Sequence, residues 1–434
     1  MRNTFIIFIH AFNDLDMILP FIDYVLKKNE YNLILYSDTK NIPGADYHLE
    51  FLNTQHNIKP KFFLDEQCFR RYKNVLRFRD RVIRVRHKRQ VKKKHIRYIS
   101  YIVSIILIII IRVSECVLQK PIKCFVDKLN VSDIIMVHVN SETIFPNMVV
   151  VKLAEKRSIK TVGYSHGFSV YSNLENTGKS LMEKRISRRV INRYIAGGKR
   201  VYCDYYLTGR TMKDTWFRSG SMLSFKELDR VYETCTPRYT RGWTKIFRSY
   251  LMGRNHFSYG YKERLNVVFF LSHLNYNVNV NVLINTFHEL SKIDNINFVY
   301  KPHTRGNFEF NKCNIKAFDA SDINSIILSA WADVGIVFGC SIGMQLLVDN
   351  VPVLVPSYVH TNTTIFEEHK ICITANSLEE LVSIFSNNTK SDIVKLVGNR
   401  RVEDLINKLL DGNKSYDQLM QEYYEAVVDN KHFE

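Results

Sequence analysis

Short apolar runs alternate along this chain with longer stretches in which apolar residues recur every three or four positions. The first pattern predicts buried strands and the second helices packed on them. Residues 4–10 read as a strand. Residues 15–28 read as a helix with Met17, Ile18, Phe21, Ile22 and Val25 on one stripe, and 32–36 as a second strand. After an atypical insertion at 70–118, the alternation resumes with a strand at 133–139, a helix at 142–157 and a strand at 159–164 that runs into Ser165-His166-Gly167. A short strand at 204–207, closed by Gly209, precedes a helix at 211–218. Residues 220–262 lack a strong period, carry many charges and read as connecting the two halves. Strands then return at 265–271, 296–300, 333–338 and 352–355, with helices at 278–293, 322–330 and 343–349 and closing helices at 378–386, 392–411 and 414–428. Such alternation predicts an α/β protein of two doubly wound parallel-sheet domains facing a cleft. The expected bounds are 1–235 and 263–434, with an interdomain connection at 236–262.

Composition fits that picture and adds one feature. The 434 residues are 46% hydrophobic and 24% charged, the range of a folded protein and not of a disordered one. Eight scattered cysteines form no CxxC pair and no cluster with zinc spacing, so they read as reduced, mostly buried thiols of a cytosolic protein. The apolar start of the chain reads as a first strand and not as a secretory signal. The net charge of +18 is concentrated: residues 70–97 hold fourteen Lys/Arg against one acid, Asp80. The remainder, 47 basic and 42 acidic residues, is nearly balanced.

Directly after this strip, residues 99–111 carry no charge. Thirteen residues are short of the roughly 20 needed to span a bilayer. A basic strip beside a short apolar segment predicts a membrane-associating insertion. Arg84, Lys92, Lys93 and Lys94 would lie on anionic headgroups, and Ile105 and Ile108 would dip into the acyl boundary. The competing expectation is that 99–111 is buried core. Nucleic acid is not expected as a partner because no recognisable binding motif accompanies the charge; Phe69, Tyr72 and Phe78 suit an amphipathic helix equally well.

Ligands of open parallel sheets bind beyond the carboxyl ends of the strands. Three polar turns fall there: Ser165-His166-Gly167, the stretch from Lys301 through His303 to Arg305, and the turn Gly339-Cys340-Ser341-Ile342-Gly343. The last opens a helix, whose free N–H groups suit a phosphate. Its letters also match the G-x-S-x-G nucleophile elbow of hydrolases, with Asp349, His360 and His369 as crowded partners. The immediate return of a strand at 352 favours the phosphate turn. Lys301, His303 and Arg305 supply cationic groups at a strand end, and His166 is a candidate general base.

Taken in order, SHG, CDYYLTG, VYKPH, ADVGIVFGCSIGMQLLVDNVPVLVP and SLEEL resemble the bacterial GT-B enzymes of surface-polysaccharide assembly. The nearest groups are the CDP-glycerol glycerophosphotransferases and the capsule Kdo- and sialyl-type transferases. The resemblance spans about 133–385 and implies a GT-B-like fold with an N-terminal acceptor-side domain and a C-terminal donor-binding domain. It implies a metal-independent transferase without a cofactor, using a CMP-, CDP- or UDP-linked donor and a glycan or lipid-linked acceptor, peripheral on the cytoplasmic face of the cell membrane. His166 falls on the family's base, and Lys301 and His303 on its phosphate-holding turn. Cys340 and Ser341 stand where the family has two serines, and Gln345 where glycerophosphotransferases often carry an acid. Gly339, Cys340, Ser341, Gly343 and Gln345 are thus expected at the donor, and Asn13, Asp14, Ser165 and Gly167 on the acceptor side. A polyol-phosphate transferase and a non-catalytic scaffold of polysaccharide assembly are the alternatives.

Overall fold

A computed structural model describes residues 2–91, 97–139, 144–165, 170–171, 203–210, 230–254, 257–274, 278–303, 315, 317–397 and 399–429. The first domain contains β1 (Thr4–Ile9), α1 (Phe12–Lys28), β2 (Asn32–Ser37), α2 (Asp46–His56), β3 (Lys61–Phe62), α3 (Lys73–Val91) and α4 (Arg97–Val126). It continues with β4 (Ile134–His138), α5 (Asn147–Glu155), β5 (Lys160–Tyr164), β6 (Tyr205–Gly209) and β7 (Val231–Thr234). All its strand pairs are parallel, in the order β3-β2-β1-β4-β5-β6-β7. A short 3-10 turn, Pro237–Tyr239, leads into α6 (Arg241–Met252).

The second domain contains β8 (Leu265–Phe270), α7 (Val280–Leu290), β9 (Ile296–Lys301), β10 (Phe318–Asp319), α8 (Ser325–Trp331), β11 (Val334–Val337) and α9 (Ile342–Val348). Then come β12 (Val353–Pro356), α10 (Ile365–Glu368), β13 (Ile373–Ala375), α11 (Leu378–Asn387), α12 (Lys390–Val397), α13 (Asn399–Ile406) and α14 (Tyr416–Val428). Its parallel sheet has the order β10-β9-β8-β11-β12-β13. In each sheet the order reverses at one point, beside β1 in the first and beside β8 in the second. A crevice opens at such a reversal, which is where these sheets take ligands.

Two helices cross the boundary that the sequence suggests. The stretch 220–262 looks aperiodic, but Trp243, Phe247 and Leu251 sit at i, i+4 and i+8 of α6 and are fully buried. They join a core containing Phe5, Phe21 and Phe51, where each large side chain contributes about 1.5–3 kcal/mol by leaving water. Helix α14 follows the second domain in sequence but packs in space on the first. Leu419, Met420 and Val427 enter that same core. Tyr205 donates to the Val427 carbonyl at 2.6 Å, and Tyr24 to Gln421 at 2.6 Å.

The insertion forms a helical hairpin. Residues 99–111 are part of the 30-residue helix α4 and not a short separate segment. One face of α4 is core: Ile111, Leu118, Ile122 and Phe125 are buried, as are Leu76 and Val82 of α3. Glu115, also buried, is held by Arg79 at 3.2 Å and Arg112 at 2.5 Å. The other face exposes Ile106, Ile109, Val113 and Val117, alongside Phe78 and Val85 of α3. Within 99–111, Ile111 is therefore buried core, while Ile106 and Ile109 are exposed. Arg84 is exposed and Ile108 partly buried, Ile105 lies within α4, and Lys92, Lys93 and Lys94 lie outside the described residues. Among the described residues no helix is long and apolar enough to cross a membrane.

Candidate functional site

The carboxyl ends of the two sheets enclose a cavity of about 130 Å³, lined among others by Asn13, Asp16, Tyr239, Lys301, His303 and Ser341. That volume suits a phosphate-sized group, small beside the roughly 300–1,000 Å³ of whole-ligand sites. A larger ligand would extend from it along the open cleft.

Strand β9 delivers Lys301 and His303. The Lys301 ammonium donates to the Ser321 carbonyl. Burial pushes its pKa down to about 8, only partly countered by Asp322 and Asp319. The His303 ring lies 5.7 Å from that of His273, which follows β8. Arg305 lies outside the described residues.

Strand β11 delivers the turn at 339–343. Gly339 has φ +65°, and a Cβ there would fall 1.7 Å from the Tyr171 hydroxyl, so only glycine fits. Its carbonyl accepts from the Ser272 hydroxyl at 3.1 Å. Ser341 starts α9 at φ −64° and shares a hydrogen bond with the Tyr239 hydroxyl. That backbone is ordinary, unlike a strained nucleophile elbow. The proposed hydrolase partners are engaged elsewhere: Asp349 bonds Gln345 and Ser329, and His360 stacks on Phe338 with its pKa lowered to about 4 by burial. His369 is exposed at the end of α10. Burial raises the Cys340 thiol to about 11, which keeps it protonated and unreactive near neutral pH.

Two expected donor contacts are displaced. Gly343 packs against the Phe366 ring, where a Cβ would meet it at 2.5 Å. Gln345 is fully buried; its amide oxygen accepts from Arg238 at 2.7 Å and Thr244 at 3.4 Å, and its nitrogen donates to Asp349 at 3.1 Å. It supports the cleft from beneath and does not face it. Ser341 caps the open end of α9, whereas Gln345, four residues on, is on the same face but one turn deeper, inside the packed interior.

On the first domain's side, Asn13 and Asp16 line the cleft. Asp14 is fully buried and accepts the backbone N–H groups of His10 at 2.8 Å and Ala11 at 2.9 Å, so it shapes the turn into α1. Ser165 is buried at the end of β5, and His166 and Gly167 lie outside the described residues. On the far side of that gap, Val170 accepts from the backbone of Ile365 at 2.9 Å and Tyr171 bridges to Thr364, both in the second domain.

Sequence reasoning missed Arg238, although it ties the site together. Its guanidinium donates to Asp16 at 2.6 Å and to Gln345 at 2.7 Å, and Asp16 also bonds His48 at 2.8 Å. Burial opposes the Asp16 charge, but Arg238 and His48 more than offset it and hold its pKa below the usual value. Also missed were His10, Asp38 and His138 at strand ends of the first sheet, and His273. The usable signal was position: His10 directly follows the first apolar run, as His303 follows that of β9.

No protein-family model and no curated protein matches the sequence. Solved structures do match. A variant of the wall teichoic acid polymerase TagF is 11% identical over 98% of this chain and 89% of its own, with a TM-score of 0.52. The same polymerase soaked with CDPG is 10% identical over 99% and 90%, at 0.50. The glycotransferase of kitacinnamycin is 10% identical over 98% and 100%, also at 0.50. Two parallel α/β domains closing on one cleft, matched over nearly the whole chain by these structures, give the protein a GT-B-type fold.

Proposed function

We propose that the protein is a glycosyltransferase that moves a sugar from a nucleotide-activated donor to a growing cell-surface glycan at the cytoplasmic membrane face. One observation carries the reading. The second domain's wall of the cleft presents Lys301, His303 and Ser341, and among the described residues that line it there is no carboxylate. Such a wall suits a departing nucleotide phosphate. The acceptor oxygen would bond to the anomeric carbon as the bond from that carbon to the phosphate oxygen breaks. The electron pair leaves on the phosphate, where the Lys301 ammonium, the His303 imidazole and the Ser341 hydroxyl stabilise it.

The family resemblance assigns His166 as the base and Arg305 as a further phosphate contact. His166→Ala should abolish turnover and spare nucleotide binding; near-normal turnover would remove His166 from the mechanism. The exposed apolar face of α4, with the basic residues of α3 beside it, suits a peripheral seat on anionic lipid. Sedimentation with phosphatidylserine vesicles, lost at high salt, checks that part.

The decisive test is thermal stabilisation by CMP, CDP, UDP and GDP compounds. A ligand at a hundred times its Kd adds about 2.7 kcal/mol to stability. Protection by a nucleotide whose sugar conjugate is consumed supports the reading. Protection and turnover confined to CDP-glycerol or CDP-ribitol would make the protein a polyol-phosphate transferase, and no response to any nucleotide would make it a scaffold.

A further inference from the structure

A second cavity, of about 550 Å³, lies outside the cleft at the carboxyl ends of β2 and β3. Its wall includes Ser37, Lys40, Asn41, Asp46, Leu49 and Phe62. That volume falls within the roughly 300–1,000 Å³ of whole-ligand sites, unlike the phosphate-sized space in the cleft. One helix turn separates the two spaces. Asp46 and Leu49 of α2 line the outer cavity, and His48 of the same turn lines the cleft. Between them the Tyr47 hydroxyl donates to the Asp322 carbonyl of the second domain at 3.4 Å, so this turn sits where the domains meet.

The walls of the outer cavity are held in place. The Ser37 hydroxyl donates to the Thr39 carbonyl at 2.6 Å and accepts from the Thr39 N–H at 3.2 Å, which fixes the chain as it leaves β2. Ile42 and Ala45 anchor the next stretch in the first domain's core. The Phe62 ring is half-buried and packs against the core, and the Lys40 ammonium lies 5.5 Å from its centroid. Lys40, Asn41 and Asp46 are exposed around it.

An aromatic ring offers an apolar face to the C–H side of a sugar. Around that ring Lys40 only donates hydrogen bonds, ionised Asp46 only accepts and Asn41 does both, which matches the mixed demands of sugar hydroxyls. Among the described lining residues Lys40 and Asp46 carry the only charges, one of each sign. The cavity therefore has no surplus charge to hold a phosphate, and the nucleotide has its cationic wall in the cleft. We propose that this cavity is a second carbohydrate site. It holds an uncharged, already assembled stretch of the acceptor glycan while the growing end lies in the cleft. The inference rests on the transferase reading above and adds where the rest of the acceptor goes. A helix is about 10–12 Å across with its side chains, so a few sugar residues reach from one side of α2 to the other. Acceptors long enough to occupy both spaces bind more tightly than shorter ones.

The test titrates the full chain calorimetrically with three neutral linear hexasaccharides (maltohexaose, cellohexaose and chitohexaose) and with the disaccharide of each. The wild type should bind at least one hexasaccharide, and more tightly than its disaccharide. Phe62→Ala should raise that Kd about tenfold or more. Asp46→Asn, which loses one charged hydrogen-bond acceptor, should raise it about threefold. Thermal protection by nucleotide should stay at the wild-type level in both variants. Glu50→Gln, on α2 but in the wall of neither space, should leave the Kd unchanged.

Nucleotide protection without binding of any hexasaccharide overturns this site while the transferase reading stands. So does equal binding of hexasaccharide and disaccharide, or a Kd that Phe62→Ala leaves unchanged. If Phe62→Ala loses its cooperative thermal transition, the exposed changes Lys40→Gln and Asp46→Asn, combined in one chain, decide by the same Kd. Binding through Phe62 with no protection by any nucleotide sinks the transferase reading, and the acceptor role of this cavity with it.

Discussion

The two sheets present opposite chemistry to the same cleft. At the carboxyl end of the first sheet stand Asp14, Asp16 and Asp38, each engaged with a histidine or an arginine. At that of the second stand Lys301, His273, His303 and Ser341, with no lining carboxylate among the described residues. Both ends share strand order, parallel pairing and a reversal point. The backbone therefore supplies the place, and a handful of strand-end side chains decide which charge each end presents.

The largest effect should come from cutting the seam between these ends. Arg238→Ala leaves Asp16, partly buried at the cleft, without its cation and the fully buried Gln345 without its donor. Removing one partner of a buried pair costs about 3–5 kcal/mol, measurable by urea unfolding. A loss under about 1 kcal/mol would mean that the two ends are not held together through Arg238.

Next is the cationic end's own turn. Gly339→Ala forces a Cβ into the Tyr171 hydroxyl at a positive φ. It should cost about 1–3 kcal/mol and weaken nucleotide protection more than the same substitution at Gly253, where the nearest atoms are at 3.5 Å.

Lys301→Met should separate the ends functionally. It removes one charge from the phosphate and should weaken nucleotide binding about tenfold, close to 1.4 kcal/mol, by titration calorimetry. Asp38→Asn should not change that affinity. The same lysine sets a pH dependence: Lys301 is charged below about 8, so nucleotide affinity should fall as pH rises through that value and stay flat in Lys301→Met. Smallest of all, Glu50→Gln breaks an exposed ion pair with Arg254, away from both ends. It should change stability by less than about 1 kcal/mol and leave binding untouched.

Much of this was legible in the sequence. Central strands such as β1, β4, β8 and β11 are near-continuous apolar runs because both faces are covered, and such runs announce themselves. The two-residue edge strands β3 and β10 are too short to carry a pattern. Helix α6 was hidden by the charges around Trp243, Phe247 and Leu251, although its apolar spacing is regular. At the site, Lys301, His303 and Ser341 were readable because they directly follow apolar strands. Arg238 was not, and Gln345 was read as a donor contact and not as the partner of Arg238, because their pairing spans 107 residues that no local pattern encodes. His10 was readable by position and was passed over beside the more conspicuous Asn13 and Asp14.

The return of α14 to the first domain has a consequence for how the chain is made. Phe5 and Phe21 sit near one end of the sequence, and Leu419, Met420 and Val427, with which they share a core, near the other. Synthesis proceeds from the first residue, so that apolar face emerges early and stays uncovered until roughly four hundred further residues have followed. The second sheet, whose strands lie between Leu265 and Ala375, has all its partners in hand sooner. Although it is made later, the second domain can be the first to finish, leaving the first domain's open face as the segment most in need of a chaperone.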